Sequence, residues 1–178
     1  FDECKHTPYT KPGPHVIFVG NSFLDTSFFT IATRLFPSWI FHLIGPFQNV
    51  PTAPNLIQYG ELPFSKTVPY VKFADVGLQT LLYRTGVKCF RNSLKVIQYS
   101  YCNLPIVCPH YIPLKRKHAF YYDINDEASI KKALEKALLF KLAKKITKKD
   151  DILSWDEITE NWERVLYPRE KTKMKEFV

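Results

Sequence analysis

The chain has 178 residues, of which 46% are hydrophobic, including 14 Phe and 10 Tyr. That content suffices for one packed core and argues against a disordered chain, and no apolar run approaches the roughly 20 residues of a bilayer-spanning helix. A formal net charge of +8 points to an anionic partner.

Residues 1–14 are polar and proline-rich and read as a linker or domain boundary, so the chain is expected to be a piece of a larger protein. "HVIFVG" (15–20) is an apolar strand ending in glycine, followed by Asn21, Ser22 and the helix "DTSFFTIATRLF", with Asp25, Thr26 or Ser27 as its cap. "WIFHLIG" (39–45) and "NLIQYGEL" (55–62) repeat the arrangement, so strands finish at Gly20, Gly45 and Gly60, where a residue without a Cβ allows a sharp turn or a close ligand approach. His15 and His42 fall within strands and read as packed residues. "FSKTVPYVKFA" is a short helix and "DVGLQTLLY" (75–83) a strand. A helix in "RNSLKVIQYSY", the strand "LPIVCP", a short strand "AFYYD" (119–123) and the helix "DEASIKKALEKALLFKLAKK" follow. "SWDEITENWERVLY" is a last helix, with Ser154 and Glu157 at capping-box spacing.

Strands alternating with helices predict an α/β chain with a Rossmann-like, doubly wound parallel sheet, whose ligands bind at the carboxyl ends of the strands. That topology would gather Asn21, Ser22, Glu61 and the segment 83–86 into one crevice, together with the amino end of the helix carrying Ser93, Lys95 and Gln98. A helix amino end has unbonded N–H groups and a positive dipole, so with a hydroxyl and a lysine it suits a phosphate. Each residue also has a plainer reading: Lys95 as a snorkelling side chain and Glu61 as a cap for the next helix.

The turn after Gly20 lacks both the complete G-x-G-x-x-G pattern and a P-loop, and no nucleophile elbow with a partner histidine can be placed. Cys4, Cys89, Cys102 and Cys108 lack C-x-x-C spacing and read as free thiols of a reducing compartment, not metal ligands. Lys131, Lys132, Lys136, Lys141, Lys144, Lys145, Lys148 and Lys149 form a basic run. It reads as a solvated helix face, with contact to an anionic membrane surface next, and it lacks the interleaved aromatics of a nucleic-acid platform.

The segments "GELPFSKTVPYVKFADVGLQTLLY" and "NSLKVIQYSYCNLPIVCP" resemble the donor-binding half of GT-B glycosyltransferases, and among these the glucuronosyltransferases of polysaccharide synthesis. The similarity extends from "FVGNSFLDTSFF" to "WERVLYP". It implies a Rossmann-like carboxy-terminal domain over residues 15–153 that binds a UDP-sugar, with residues 154–178 forming a helix and tail that cross to an amino-terminal domain outside this chain. The implied reaction is inverting transfer of glucuronate from UDP-glucuronate to a lipid-linked oligosaccharide, on the cytoplasmic face of the plasma membrane. The UDP-sugar is a substrate, and neither a cofactor nor a metal is expected.

Carried over by position, Glu61 and Leu62 would lie at the nucleoside, Tyr83 near the donor, and Leu94, Lys95 and Gln98 around the diphosphate and sugar. Gly20, Asn21, Ser22 and Ser93 complete the expected donor site. The catalytic base would come from the absent domain, so this chain alone should bind donor without turnover. The stretch "RTGVKCFRN" after Tyr83 departs from the family pattern, which bears on the choice of sugar. The rival readings are a GT-B domain for another nucleotide sugar and a non-catalytic nucleotide-binding module; no nucleic-acid partner is expected.

Overall fold

A computed structural model describes residues 1–143 and 159–160. Apart from residues 159–160, which are helical, the expected last helix lies outside the described residues, as do its crossing role and Lys144, Lys145, Lys148 and Lys149. In chain order the elements are β1 (His15–Val19), α1 (Thr26–Leu35), β2 (Ile40–Ile44), β3 (Leu56–Gly60), α2 (Phe64–Phe73) and β4 (Val76–Leu78). A 3-10 turn (Val87–Asn92), α3 (Leu94–Tyr101), β5 (Ile106–Pro109), β6 (Ala119–Tyr122) and α4 (Glu127–Leu142) complete them.

The strands form one sheet in the order β3-β2-β1-β4-β5-β6, and every pair is parallel. This is the doubly wound Rossmann order, with its topological switch point between β1 and β4. α1 packs with α4, and α2 with α3. The loop between β2 and β3 carries Pro46, Pro51 and Pro54 and forms no helix, as expected where prolines remove N–H donors. Asp25, among the three expected caps, takes the N-cap position of α1 and accepts from the Ser27 and Phe28 amides. Its second oxygen accepts from the Tyr122 hydroxyl at 3.2 Å, which satisfies a carboxylate with no exposed surface.

β4 is shorter than the expected strand over 75–83. After Leu78 the Gln79 backbone N–H still donates to the Val107 carbonyl, but the chain then turns toward the loop after β1, where the Asp25 N–H donates to the Thr80 carbonyl and the Leu82 N–H to the Phe23 carbonyl. Leu81 and Leu24 form an isolated antiparallel bridge. The apolar run therefore continues past the sheet to close the crevice from below, which strand periodicity does not distinguish from a longer strand.

Segment 1–14 packs onto the domain. Lys72 Nζ donates to the carbonyls of Phe1 and Cys4 at 2.8 and 2.7 Å, and Tyr9 stacks on His15 with ring centroids 3.9 Å apart. Beneath Tyr9 the two strand histidines form a directional chain. His15 Nε2 lies 3.1 Å from the Lys11 carbonyl, which only accepts, so Nε2 carries the proton and Nδ1 accepts from His42 Nε2 at 2.9 Å. His42 Nδ1 then accepts from the Tyr59 hydroxyl at 2.9 Å. A second proton on His15 would set its Nδ1–H against the His42 Nε2–H, and one on His42 would take away the acceptor of the Tyr59 hydroxyl.

Burial accordingly lowers both histidines, and His42, buried against His15 and near Lys11, falls to about 3. The unfolded histidine takes up its proton near 6.5 while the folded one resists it, so this stabilisation is complete above 6.5 and is lost as pH falls toward 3. The melting temperature should therefore fall progressively across that window. His42→Gln, which keeps polar atoms but cannot titrate, should flatten the slope; an unchanged pH profile would separate the pair from acid stability.

Candidate functional site

A cleft of about 400 Å3 lies over the carboxyl ends of β1, β2 and β3, at the switch point. Gly20 and Gly45 line it, and Gly60 lies directly beside Gly45. Gly20 N–H donates to Ile44 at 3.0 Å and Gly45 N–H to Gly60 at 2.8 Å, so the turns lie side by side. Gly45 has φ of +147°, and a Cβ there would meet the Gly20 carbonyl oxygen at 1.8 Å, so no other residue fits the close approach of β1 and β2.

All the residues singled out from the sequence line this cleft except Tyr83: Gly20, Asn21, Ser22, Glu61, Leu62, Ser93, Leu94, Lys95 and Gln98. Tyr83 is 69% exposed and packs edge-on against Tyr111, with centroids 5.3 Å apart, because the chain after Leu81 runs across the surface in place of the strand the apolar pattern suggested. Glu61 is exposed at the rim and makes no cap for α2, whose N-cap is Pro63 without a side-chain bond. Ser22 Oγ donates to Asn21 Oδ1 at 2.9 Å.

α3 is set over the cleft by Tyr99. Its ring lies against Gly77, where a Cβ would come within 2.6 Å of the ring, and its hydroxyl accepts from Val19 N–H at 3.2 Å and donates to the Ile17 carbonyl at 3.3 Å. Lys95 precedes Tyr99 by four residues and so shares its helix face, one turn nearer the amino end. The Lys95 ammonium sits 4.0 Å over the Phe18 ring, beside Gly20. No carboxylate pairs with it among the described residues, and burial pushes it down to about 7. Gln98, only 7% exposed, adds an amide with no side-chain partner among the described residues to the same cleft.

Sequence reasoning missed Phe18, Phe64, Thr67, Leu81 and Phe90, which line or underlie the cleft. Most are apolar and carry no chemical signal of their own. Gln79, which braces Ser93, did leave a trace: a fully buried amide interrupting the apolar run "VGLQTLL".

The cleft as built collects a cation, a helix amino end and amide donors, and its one acidic lining residue, Glu61, makes no ion pair with Lys95. This arrangement suits an anionic ligand with a polar, uncharged end. Lys95 itself disfavours the unliganded fold. Its folded state releases a proton near 7 that the unfolded chain keeps to 10.5, so the penalty is full below 7 and is relieved as pH rises toward 10.5. Lys95→Met should raise the melting temperature of the unliganded protein at pH 6, by an amount that shrinks toward pH 10.5. A destabilised Lys95→Met would mean that the ammonium has a structural partner.

No protein-family model matches the chain. It is 31% identical over 166 residues to the UDP-glucuronate:glycolipid 2-beta-glucuronosyltransferase of Xanthomonas campestris pv. campestris, covering 92% of this chain and 40% of that enzyme. The chain thus spans about two fifths of the length of that curated relative. Its structure matches WaaG, a glycosyltransferase involved in lipopolysaccharide biosynthesis, with a TM-score of 0.58 at 11% identity, over 87% of this chain and 47% of that one. The fold is thus a Rossmann-like one that matches part of a glycosyltransferase, and the sequence relative is a glucuronosyltransferase.

Proposed function

We propose that this relative of a glycolipid glucuronosyltransferase is the donor-binding half of an inverting GT-B enzyme that moves glucuronate from UDP-glucuronate to a lipid-linked oligosaccharide. The observation that carries the reading is Lys95, a half-buried cation facing no carboxylate among the described residues, at the amino end of α3 in the switch-point cleft. A diphosphate there meets the ammonium, the Ser93 hydroxyl and the free N–H groups of α3, while uracil and ribose extend toward Glu61 and Leu62. As the glycosidic bond to the donor breaks, charge grows on the leaving diphosphate, and the same groups stabilise it. The acceptor hydroxyl loses its proton to a base on the other half of the enzyme, which lies outside this chain.

Lys95→Ala should weaken UDP about ten- to a hundredfold, on the order of 1.5–3 kcal/mol for a bond to a charged group, and leave uridine nearly unchanged. Calorimetric titration of both ligands into both proteins measures it, and equal affinities of mutant and wild type for UDP would remove the diphosphate from this position. Binding should also take up a proton above pH 7, because the diphosphate restores the charge that burial withholds from Lys95. UDP should raise the melting temperature more than GDP or ADP; equal shifts would remove the base selectivity assigned to the turn at Glu61.

The lipid-linked acceptor calls for attachment to a membrane surface. No helix among the described residues is long and apolar enough to cross a membrane. α4 exposes Leu139 and Leu142 beside Lys132 and Lys136, a combination that supports peripheral binding on the cytoplasmic face. Acidic liposomes should bind the chain weakly and release it as salt rises. Retention in high salt would point to apolar insertion in place of charge.

A further inference from the structure

Gln79 follows β4 directly and has no exposed surface. Its Nε2 lies 3.0 Å from the Phe90 carbonyl and 3.2 Å from Ser93 Oγ. A carbonyl only accepts, so that corner of the amide is the NH2, and toward it Ser93 Oγ can only accept. The serine proton therefore remains for another partner. Ser93 is the N-cap residue of α3, with φ of −62° and ψ of 157°, yet its side chain makes no bond to the helix. An N-cap serine ordinarily accepts from the second or third helical N–H, here those of Lys95 and Val96. Both are left without a partner among the described residues, and the only bond at this end is Ile97 N–H to the Ser93 carbonyl.

Gln79 holds this arrangement at a cost of its own. Its Oε1 is buried with no hydrogen-bond partner among the described residues, a condition that folding alone disfavours. A second polar group points to the same ligand position: Gln98, more than nine-tenths buried, lines the cleft with an unpartnered amide.

We propose that Gln79 is a positioning residue of the donor site: it holds the Ser93 hydroxyl away from the helix end, leaving that proton and the amino-terminal N–H groups of α3 for the diphosphate. The inference rests on the donor-binding reading given above. Gln79 touches no ligand and acts through Ser93. Without it the hydroxyl swings back to cap α3, closing an N–H group that the ligand would use and turning its proton away from the cleft.

A double-mutant cycle over Gln79→Met and Ser93→Ala, titrated with UDP and with uridine, tests this. Gln79→Met keeps the side-chain volume and removes the unpartnered oxygen. It should weaken UDP about tenfold, as expected for loss of a bond to a charged group, leave uridine unchanged, and hold or raise the melting temperature of the unliganded protein. In the Ser93→Ala background the same substitution should have little further effect on UDP. Additive losses, equal losses for uridine and UDP, or an unchanged UDP affinity would each overturn the proposal. Should Gln79→Met fail to fold, Ser93→Ala alone must still weaken UDP selectively, and equal affinities overturn the proposal there too. A wild-type chain that binds no UDP removes the donor reading and this inference together, whereas binding with an additive cycle removes only this inference.

Discussion

Everything at the cleft depends on how one tyrosine hydroxyl fills a gap in the sheet. β4 pairs with β1 only as far as Ile17, while β2 follows β1 to Val19. Beyond that point β1 has backbone groups without a strand to bond, and buried backbone groups require partners. The Tyr99 hydroxyl supplies both, taking a bond from Val19 and giving one to Ile17. The ring reaches that position only because Gly77 has no side chain. The divergence of β1 and β4 that opens the crevice is thus also what fixes α3, and with it Lys95, above the crevice.

The strand ends complete the site by a similar economy of side chains. Gly20, Gly45 and Gly60 let three strands terminate on one level with their backbones in contact. Lys95 then lies over Phe18 and Gly20, where an aromatic face offsets part of the cost of burying a cation and no acid competes for it. Three polar groups without a hydrogen-bond partner among the described residues lie in or behind the cleft: the ammonium of Lys95, the amide of Gln98 and the buried Oε1 of Gln79. A stretch of chain that contradicts local rules of satisfaction is the expected mark of a binding site.

The polar chain that runs across β1, β2 and β3 is built on the contrary principle. There His15, His42, Tyr59 and the Lys11 carbonyl satisfy one another in a single direction, with Tyr9 stacked above. The segment that reads as a linker is in this way tied to the sheet, and Lys72 ties its beginning to α2 through backbone carbonyls.

The sequence by itself determined the alternation of strands and helices, the three glycine strand ends, and the helix that brings Ser93, Lys95 and Gln98 to the crevice. These follow from apolar period and from residue types with only one conformational use, both of which are local properties. It also carried the family likeness, which fold and sequence comparison share. Tertiary structure alone decided that β4 stops at Leu78, that Tyr83 turns away to Tyr111, and that Gln79 reaches Ser93 across fourteen residues. It also decided that the two strand histidines meet ring to ring and that Lys95 finds an aromatic ring in place of an acid. Period tells which face of an element is buried, but the partner on that face is chosen by the crossing of elements distant in the chain, and no local pattern records it.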